Sequence, residues 1–135
     1  MAEIKITNPA GMGTPFAPYG QVARVKASEF LFIAGQVATG PNAETVGKDD
    51  FEAQCAQTFA NIELALKANG ASWANVVQFT SYLVHSQDIP KYHAWRVREF
   101  PKMFPGGVYP TNTLLIIDRL VKEDLLVEVQ AIAAL

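Results

Sequence analysis

Two side chains in this 135-residue sequence have the types needed for acid–base chemistry, His93 and Glu128. An imidazole with an ordinary pKa of about 6.5 can both accept and donate a proton near neutral pH. Glu128 alternates with Gln130 across Val129, which predicts that both side chains lie on one face of a strand. Each candidate has a structural alternative: a histidine on the inward side of a helix is commonly a packing residue, and a strand glutamate is commonly solvated or part of an interface.

Other kinds of catalytic site lack their sequence signals. His85 and His93 stand outside any His-x₃-His or Cys/His pattern, so the sequence predicts no metal site. A phosphate-binding P-loop, a dinucleotide-binding glycine fingerprint and a Gly-x-Ser-x-Gly motif are all missing, and we expect no cofactor. Cys55 is the only cysteine and falls on the apolar side of a predicted helix, which is typical of an inert packing residue.

Composition and charge indicate a single domain and disfavour nucleic acid as its partner. Half of the residues are apolar and no linker divides the chain, so we expect a single domain over residues 1–135. The 11 basic residues are scattered and outnumbered by 13 acidic ones, which disfavours nucleic acid. No basic leader followed by an apolar segment is visible, and no apolar run reaches the roughly 18 residues of a membrane span. We therefore expect a soluble cytoplasmic protein.

The spacing of apolar residues predicts six strands and two helices in the order β-β-β-α-β-α-β-β. The predicted strands cover residues 4–7, 21–26, 30–37, 76–84, 113–117 and 125–135. The first helix begins after Asp50 and ends before Gly70, which suit an N-terminal acidic group and a C-cap. The second begins near Pro90, with His93 and Phe100 on its inward side.

This element order predicts an α+β domain in which one sheet carries both helices on a single face. The pair Ser28–Glu29 suits a tight hairpin between the second and third strands. Two strand segments, 114–117 and 125–127, are apolar on both sides, and one layer of helices cannot cover both faces of a sheet. Burial against another subunit is the simplest remedy, so the pattern favours an oligomer.

Local strings along nearly the whole chain follow one known pattern. They are APYGQ at 17–21, LFIAGQ at 31–36, the helical segment 54–70, the pairs at 109–110 and 119–120, and VEVQAIA at 127–133. No single string is decisive, but their order and spacing resemble those of the RidA/YjgF family, also known as endoribonuclease L-PSP. The chain is identified as a member of that family.

The resemblance implies a chorismate-mutase-like fold in which three subunits pack their sheets into a barrel-like homotrimer. Three clefts lie between neighbouring subunits. Typical members hydrolyse reactive enamines and imines of the 2-aminoacrylate type and release ammonia and a 2-keto acid. In those members an arginine two residues after a late-strand proline holds the substrate carboxylate, and a glutamate in the final strand helps water attack.

At most of those family positions this sequence has another residue. Asn112 stands at the arginine position, Gln130 at the glutamate position and Ala34 at the position of a cleft serine. His93 stands where the family commonly has asparagine, and the cleft tyrosine is retained as Tyr19. The resemblance therefore implies a cleft lined by Tyr19, Ala34, Gly35, Asn112 and Gln130, with His93 and Glu128 as candidate catalytic groups.

These departures predict a neutral, amide-rich site with weakened chemistry. Asn112 forms only neutral hydrogen bonds, which costs roughly tenfold to a hundredfold in carboxylate binding. Gln130 accepts no proton, and acid–base assistance is typically worth about 10²–10⁴-fold. We therefore expect 2-aminoacrylate deaminase activity to be weak or absent. The alternative is a non-catalytic trimer that binds a small-molecule metabolite, and a ribonuclease is the weakest of the three because of the charge balance.

Overall fold

The structure, a computed structural model, describes residues 1–135 and contains every predicted element in the predicted order. The strands are β1 (Glu3–Thr7), β2 (Val22–Lys26), β3 (Phe30–Val37), β4 (Val76–Leu83), β5 (Thr111–Ile116) and β6 (Val127–Ala134). The helices are α1 (Phe51–Ala68) and α2 (Ile89–Met103), and short 3₁₀ turns at Trp73–Asn75 and Ser86–Asp88 precede β4 and α2. The α+β class predicted from the element order is confirmed.

The strands form two sheets, so the prediction of a single sheet is wrong. A four-stranded sheet has the order β3-β6-β4-β5, and β1 pairs only with β2 in a separate antiparallel ribbon. The predicted hairpin at Ser28–Glu29 is also wrong, because both backbone N–H groups donate to the carbonyl of Leu135 and lead the chain into β3–β6 pairing. Alternation along a strand fixes its faces but does not identify its partner.

The ends of α1 follow from the residues that flank it. The Asp50 side chain accepts a hydrogen bond of 3.0 Å from the N–H of Ala53, which satisfies a free donor of the first turn. Beyond the last turn, Gly70 has φ +70°, a conformation that glycine adopts without strain. Both predicted ends of α1 are therefore confirmed.

Both helices pack on the same face of the four-stranded sheet, around an aromatic core. Phe79 of β4 lies 5.5 Å from Phe59 of α1 and 5.8 Å from Phe100 of α2, measured between ring centroids. The inward side of α2 carries Tyr92, Trp95, Arg96 and Phe100. His93 is exposed, so its predicted inward position is wrong. The side of α2 that carries the aromatic residues is buried in preference to the side with His93, because large rings remove more apolar area from water.

The opposite face of the sheet is uncovered in the single chain. Phe32 is 77% exposed there, and Phe30 and Leu115 are 48% and 40% exposed. An apolar surface of this kind on a sheet is typical of an interface. Neither helix of the protein combines the length and the apolar character that crossing a bilayer requires.

Candidate functional site

Three of the predicted site residues meet in one cavity of about 470 Å³ beside the edge strand β5. The loop before β2 contributes Tyr19, α2 contributes His93, and β5 contributes Asn112. The loop is held beside β5 because the N–H of Gly20 donates to the carbonyl of Pro110 at 3.1 Å. The other lining residues are Phe16, Ala17, Ile89, Pro90, Arg96 and Leu114.

A chain of buried hydrogen bonds orients Asn112. In the β4–β5 register Asn112 pairs with Phe79, which places its side chain on the helix-bearing face of the sheet. The Ser81 hydroxyl donates to Asn112 Oδ1 at 2.8 Å and lies 2.8 Å from the Tyr92 hydroxyl. Since serine has one hydroxyl proton, Tyr92 must be the donor to Ser81. The amide –NH₂ of Asn112 makes no protein hydrogen bond, so its two donors remain available to the cavity.

The Tyr92 phenol can keep this donor role throughout the neutral range. Its side chain is fully buried, and burial raises the pKa of Tyr92 to about 12. The ring also packs edge-on against Phe51, with centroids 6.2 Å apart and planes at 88°. Tyr92 is therefore a fixed, protonated support beneath the cavity.

Arg96 gives the cavity a positive charge that the sequence analysis missed. The side chain is only 4% exposed, and its guanidinium lies 4.2 Å above the centroid of the Tyr92 ring. Burial lowers the pKa of Arg96, but a guanidinium begins so far above neutrality that it stays charged. The prediction of a neutral site is therefore wrong for this cavity. Helical spacing was the available signal, because Arg96 follows Tyr92 by four residues and shares its face.

The remaining predicted site residues lie on the opposite face of the sheet. Glu128 and Gln130 of β6 pair with Tyr82 and Thr80, whose side chains point away from the helices. Burial raises the pKa of Glu128. Within one chain β4 therefore separates Gln130 and Glu128 from Asn112.

A bulge in β3 places the two small predicted residues beside that glutamate. The β3–β6 register shifts between Ile33 and Gln36, a stretch that contains Ala34 and Gly35. A Cβ atom at Gly35 would collide with the Glu128 carboxylate, so glycine allows this close approach. Ala34 and Gly35 therefore belong with Glu128 rather than with the cavity.

His93 and Tyr19 are the cavity side chains of the types that serve as general acids or bases. His93 is exposed at the cavity, and Tyr19 is half-buried.

No group of three or more His, Cys, Asp or Glu side chains is close enough together to hold a metal ion. The arrangement suits a small polar ligand with a proton donor or acceptor, and it contains one fixed cation.

Comparison with known proteins identifies the family. The family model described as endoribonuclease L-PSP matches residues 12–135. The chain belongs to the endoribonuclease L-PSP family. The RutC family protein PH0854 of Pyrococcus horikoshii is 35% identical over 119 residues, covering 88% of each chain. The RutC family protein slr0709 of Synechocystis is 32% identical over 98% of this chain and 97% of its own length.

Solved structures agree with this endoribonuclease L-PSP assignment. YyfB from Yersinia pestis, described as a protein of unknown function of the conserved Rid protein family, superposes with a TM-score of 0.86. It is 32% identical, and the match covers 98% of both chains. The resemblance to the RidA/YjgF family, stated from sequence strings alone, is confirmed.

Proposed function

We propose that this endoribonuclease L-PSP family member acts on a small enamine, imine or related metabolite in clefts between the subunits of a homotrimer. The observation that carries the proposal is that Tyr19, His93 and Asn112 line one cavity. These residues come from a loop, a helix and a strand that are far apart in the sequence. Their meeting is what a binding site assembled by the fold requires.

A homotrimer would give the second group of predicted residues a role. Phe30, Phe32 and Leu115 leave the outer sheet face apolar, and a neighbouring subunit would bury it. Glu128 and Gln130 lie on that same face, so they would reach a cleft from the adjacent subunit. In a barrel-like, chorismate-mutase-like trimer each cleft would combine the two groups.

Hydrolysis of an imine needs one group that moves a proton from water to nitrogen. Water adds to the C=N carbon while its proton passes to a base, and the protonated nitrogen then leaves as ammonia with a carbonyl product. Imidazole side chains serve as general acids and bases, and His93 is the imidazole that lines the cavity. Glu128 is the second candidate, and burial raises the pKa of its carboxyl above the ordinary value.

We expect 2-aminoacrylate itself to be a poor substrate. Asn112 replaces the strand arginine that holds the carboxylate in typical members, and Gln130 replaces the glutamate that assists water. The test generates 2-aminoacrylate from serine with a pyridoxal-phosphate-dependent dehydratase and measures ammonia or pyruvate release. The protein should perform at or near the uncatalysed rate.

Variants separate carboxylate binding from proton transfer. Asn112→Arg should restore carboxylate binding more than turnover, because the two contributions are independent. Combining it with Gln130→Glu and Ala34→Ser should restore part of the turnover, with folding checked in each variant. If the unmodified protein already matches arginine-bearing relatives, Asn112 is not a loss-of-function residue and this account of the cleft is wrong.

The alternative is a non-catalytic protein that binds a small molecule in the same cavity. It is favoured by the absence of any carboxylate among the cavity residues of the single chain. Incubation with a metabolite extract separates the two proposals, since a bound compound is consumed by an enzyme and is recovered unchanged from a carrier. His93→Gln should abolish consumption and leave binding nearly intact.

Ribonuclease activity is the weakest of the three functions despite the family's name. The formal net charge is −2, and binding through phosphates needs clustered basic side chains. We expect no saturable RNA binding at physiological salt. A micromolar or tighter dissociation constant with a steep salt dependence would reverse this ranking.

A further inference from the structure

We propose that Arg96 is the anion-binding residue of the cavity and that the natural ligand carries a carboxylate held from α2. The inference rests on the proposed small-molecule site and adds the charge of its ligand. It also assigns a binding role to a residue on a different element from the family's strand arginine.

The first observation is that the Arg96 charge is buried without a counterion. Its side chain is 4% exposed, and its Nε and Nη1 atoms are inaccessible and make no hydrogen bond. None of the salt bridges in the structure includes Arg96, and the buried carboxylate of Asp88, before the first turn of α2, pairs with Lys91 at 3.6 Å. A buried charge is strongly destabilising unless it is paired, so an anion in the cavity that Arg96 lines would stabilise the unpaired guanidinium.

The second observation is that the cavity presents donors and lacks a negatively charged acceptor. Asn112 accepts from Ser81 through Oδ1, which leaves its –NH₂ group free to donate. Arg96 has only N–H donors and a positive charge. A guanidinium and an amide that line the same cavity are complementary to a carboxylate, which accepts through two oxygens.

One set of contacts holds both donors in place. The Tyr92 ring supports the Arg96 guanidinium at 4.2 Å, and the Tyr92 hydroxyl is tied through Ser81 to Asn112. Because the Arg96 guanidinium is packed on a buried ring and Asn112 is hydrogen-bonded, little side-chain freedom is lost when a ligand binds. The supporting tyrosine thus couples the helix cation to the strand amide.

The position of the charge changes how a ligand would lie. A carboxylate at Arg96 is held from α2, whereas the family pattern holds it from the strand position occupied here by Asn112. A three-carbon substrate fixed at Arg96 would therefore be oriented differently toward the acid–base groups. This explains how the cavity can favour carboxylates while 2-aminoacrylate remains a poor substrate.

The test compares pyruvate with pyruvamide, a neutral analogue of nearly the same shape, by calorimetric titration of the full-length protein. Pyruvate should bind at least tenfold more tightly than pyruvamide. Arg96→Met should weaken pyruvate binding by roughly tenfold to a hundredfold, the usual value of a hydrogen bond to a charged group, and leave pyruvamide unchanged. Arg98→Met is the matched control, because Arg98 is on the same helix but is exposed and pairs with Glu52. Equal affinities for the two probes, or an unchanged Arg96→Met variant, would overturn the proposal.

A second measurement does not require the methionine variant to fold. In protein labelled with ¹⁵N-arginine, the Nε–H resonance of Arg96, assigned with Arg96→Lys, should shift with pyruvate and not with pyruvamide. A resonance that does not move with pyruvate contradicts the inference. Dissociation of the oligomer in the Arg96→Lys variant also contradicts it, because Arg96 would then pair with a carboxylate of the partner subunit. Arg96-dependent pyruvate binding without any turnover of enamines or imines would refute the enzymatic proposal alone. Turnover without discrimination between the two probes would refute the role of Arg96 alone.

Discussion

The buried hydrogen-bond chain beneath the cavity can be tested by removing one oxygen atom. Tyr92→Phe retains the ring that supports Arg96 and packs against Phe51, and it deletes only the hydroxyl that lies 2.8 Å from Ser81. Tyr92 and Ser81 are both 0% exposed, so water cannot replace the lost partner without a structural change. The loss should therefore appear in the free energy of unfolding.

The magnitude follows from the groups left without partners. A buried polar group that loses its hydrogen bond costs about 1–3 kcal/mol. Tyr92→Phe leaves the Ser81 oxygen with one partner fewer, so we expect about 1–2 kcal/mol. Ser81→Ala leaves both the Tyr92 hydroxyl and Asn112 Oδ1 unpaired, so we expect about 2–3 kcal/mol. For a chain of this length each kcal/mol corresponds to a melting temperature lower by roughly 3–5 °C.

A double-mutant cycle isolates the Tyr92–Ser81 bond. Urea unfolding of the two single variants and the double variant, at one protomer concentration, should give a coupling of about 1 kcal/mol. Tyr109→Phe serves as the control, since Tyr109 packs in the same aromatic core and its hydroxyl makes no protein hydrogen bond. If the coupling is below about 0.5 kcal/mol, the two hydroxyls do not interact and the orientation assigned to Asn112 is wrong.

Three further predictions concern the outer face, Glu128 and the buried thiol. Phe32→Glu should weaken self-association at least tenfold by light scattering, because burying one phenylalanine contributes about 1.5–3 kcal/mol. Val121→Glu is the control, since Val121 is equally exposed but lies in a loop, and it should leave self-association unchanged. A monomeric parent protein would contradict the prediction. Burial raises the pKa of Glu128 in the folded protein, so protonation of this carboxyl favours folding and its contribution to stability is lost as pH rises. The stability of Glu128→Gln relative to the parent should therefore increase between pH 4 and 7. A difference that stays constant over this range would refute the prediction. Cys55 is fully buried and burial raises its thiol pKa, so iodoacetamide should not modify the folded protein at pH 8; rapid alkylation would show that α1 opens.

Local features were the part of the fold that the sequence could predict. Asp50 and Gly70 bound α1 through contacts within a few residues, and these contacts are visible in the sequence itself. Strand pairing depends on partners far along the chain, and Ser28 and Glu29 were misassigned because their hydrogen-bond acceptor is Leu135. Periodicity carries no information about such a distant partner.

The candidate site was predictable only in part for a related physical reason. Tyr19 and Asn112 were identified by family position, and both line the cavity. Arg96 was not chosen as a site residue, because helical spacing predicts the face on which a charged side chain lies but not the cavity that it enters. Its burial depends on the ring of Tyr92, one turn earlier, and on a cavity that exists only after α2 has packed on the sheet. An inward-facing arginine is therefore a property of the assembled layers.

The position of β6 in the sheet has a consequence for how the chain is made. β6 lies between β3 and β4, and β3 has no other partner in the sheet, although β6 comes after both in the sequence. A growing polypeptide can form α1 and the β4–α2–β5 unit early, but the backbone of β3 stays unpaired until residues 127–134 have left the ribosome. Such distant pairing slows folding and prolongs exposure of an aggregation-prone strand. Nascent chains that stall before residue 127 should therefore be the species that most depends on chaperones.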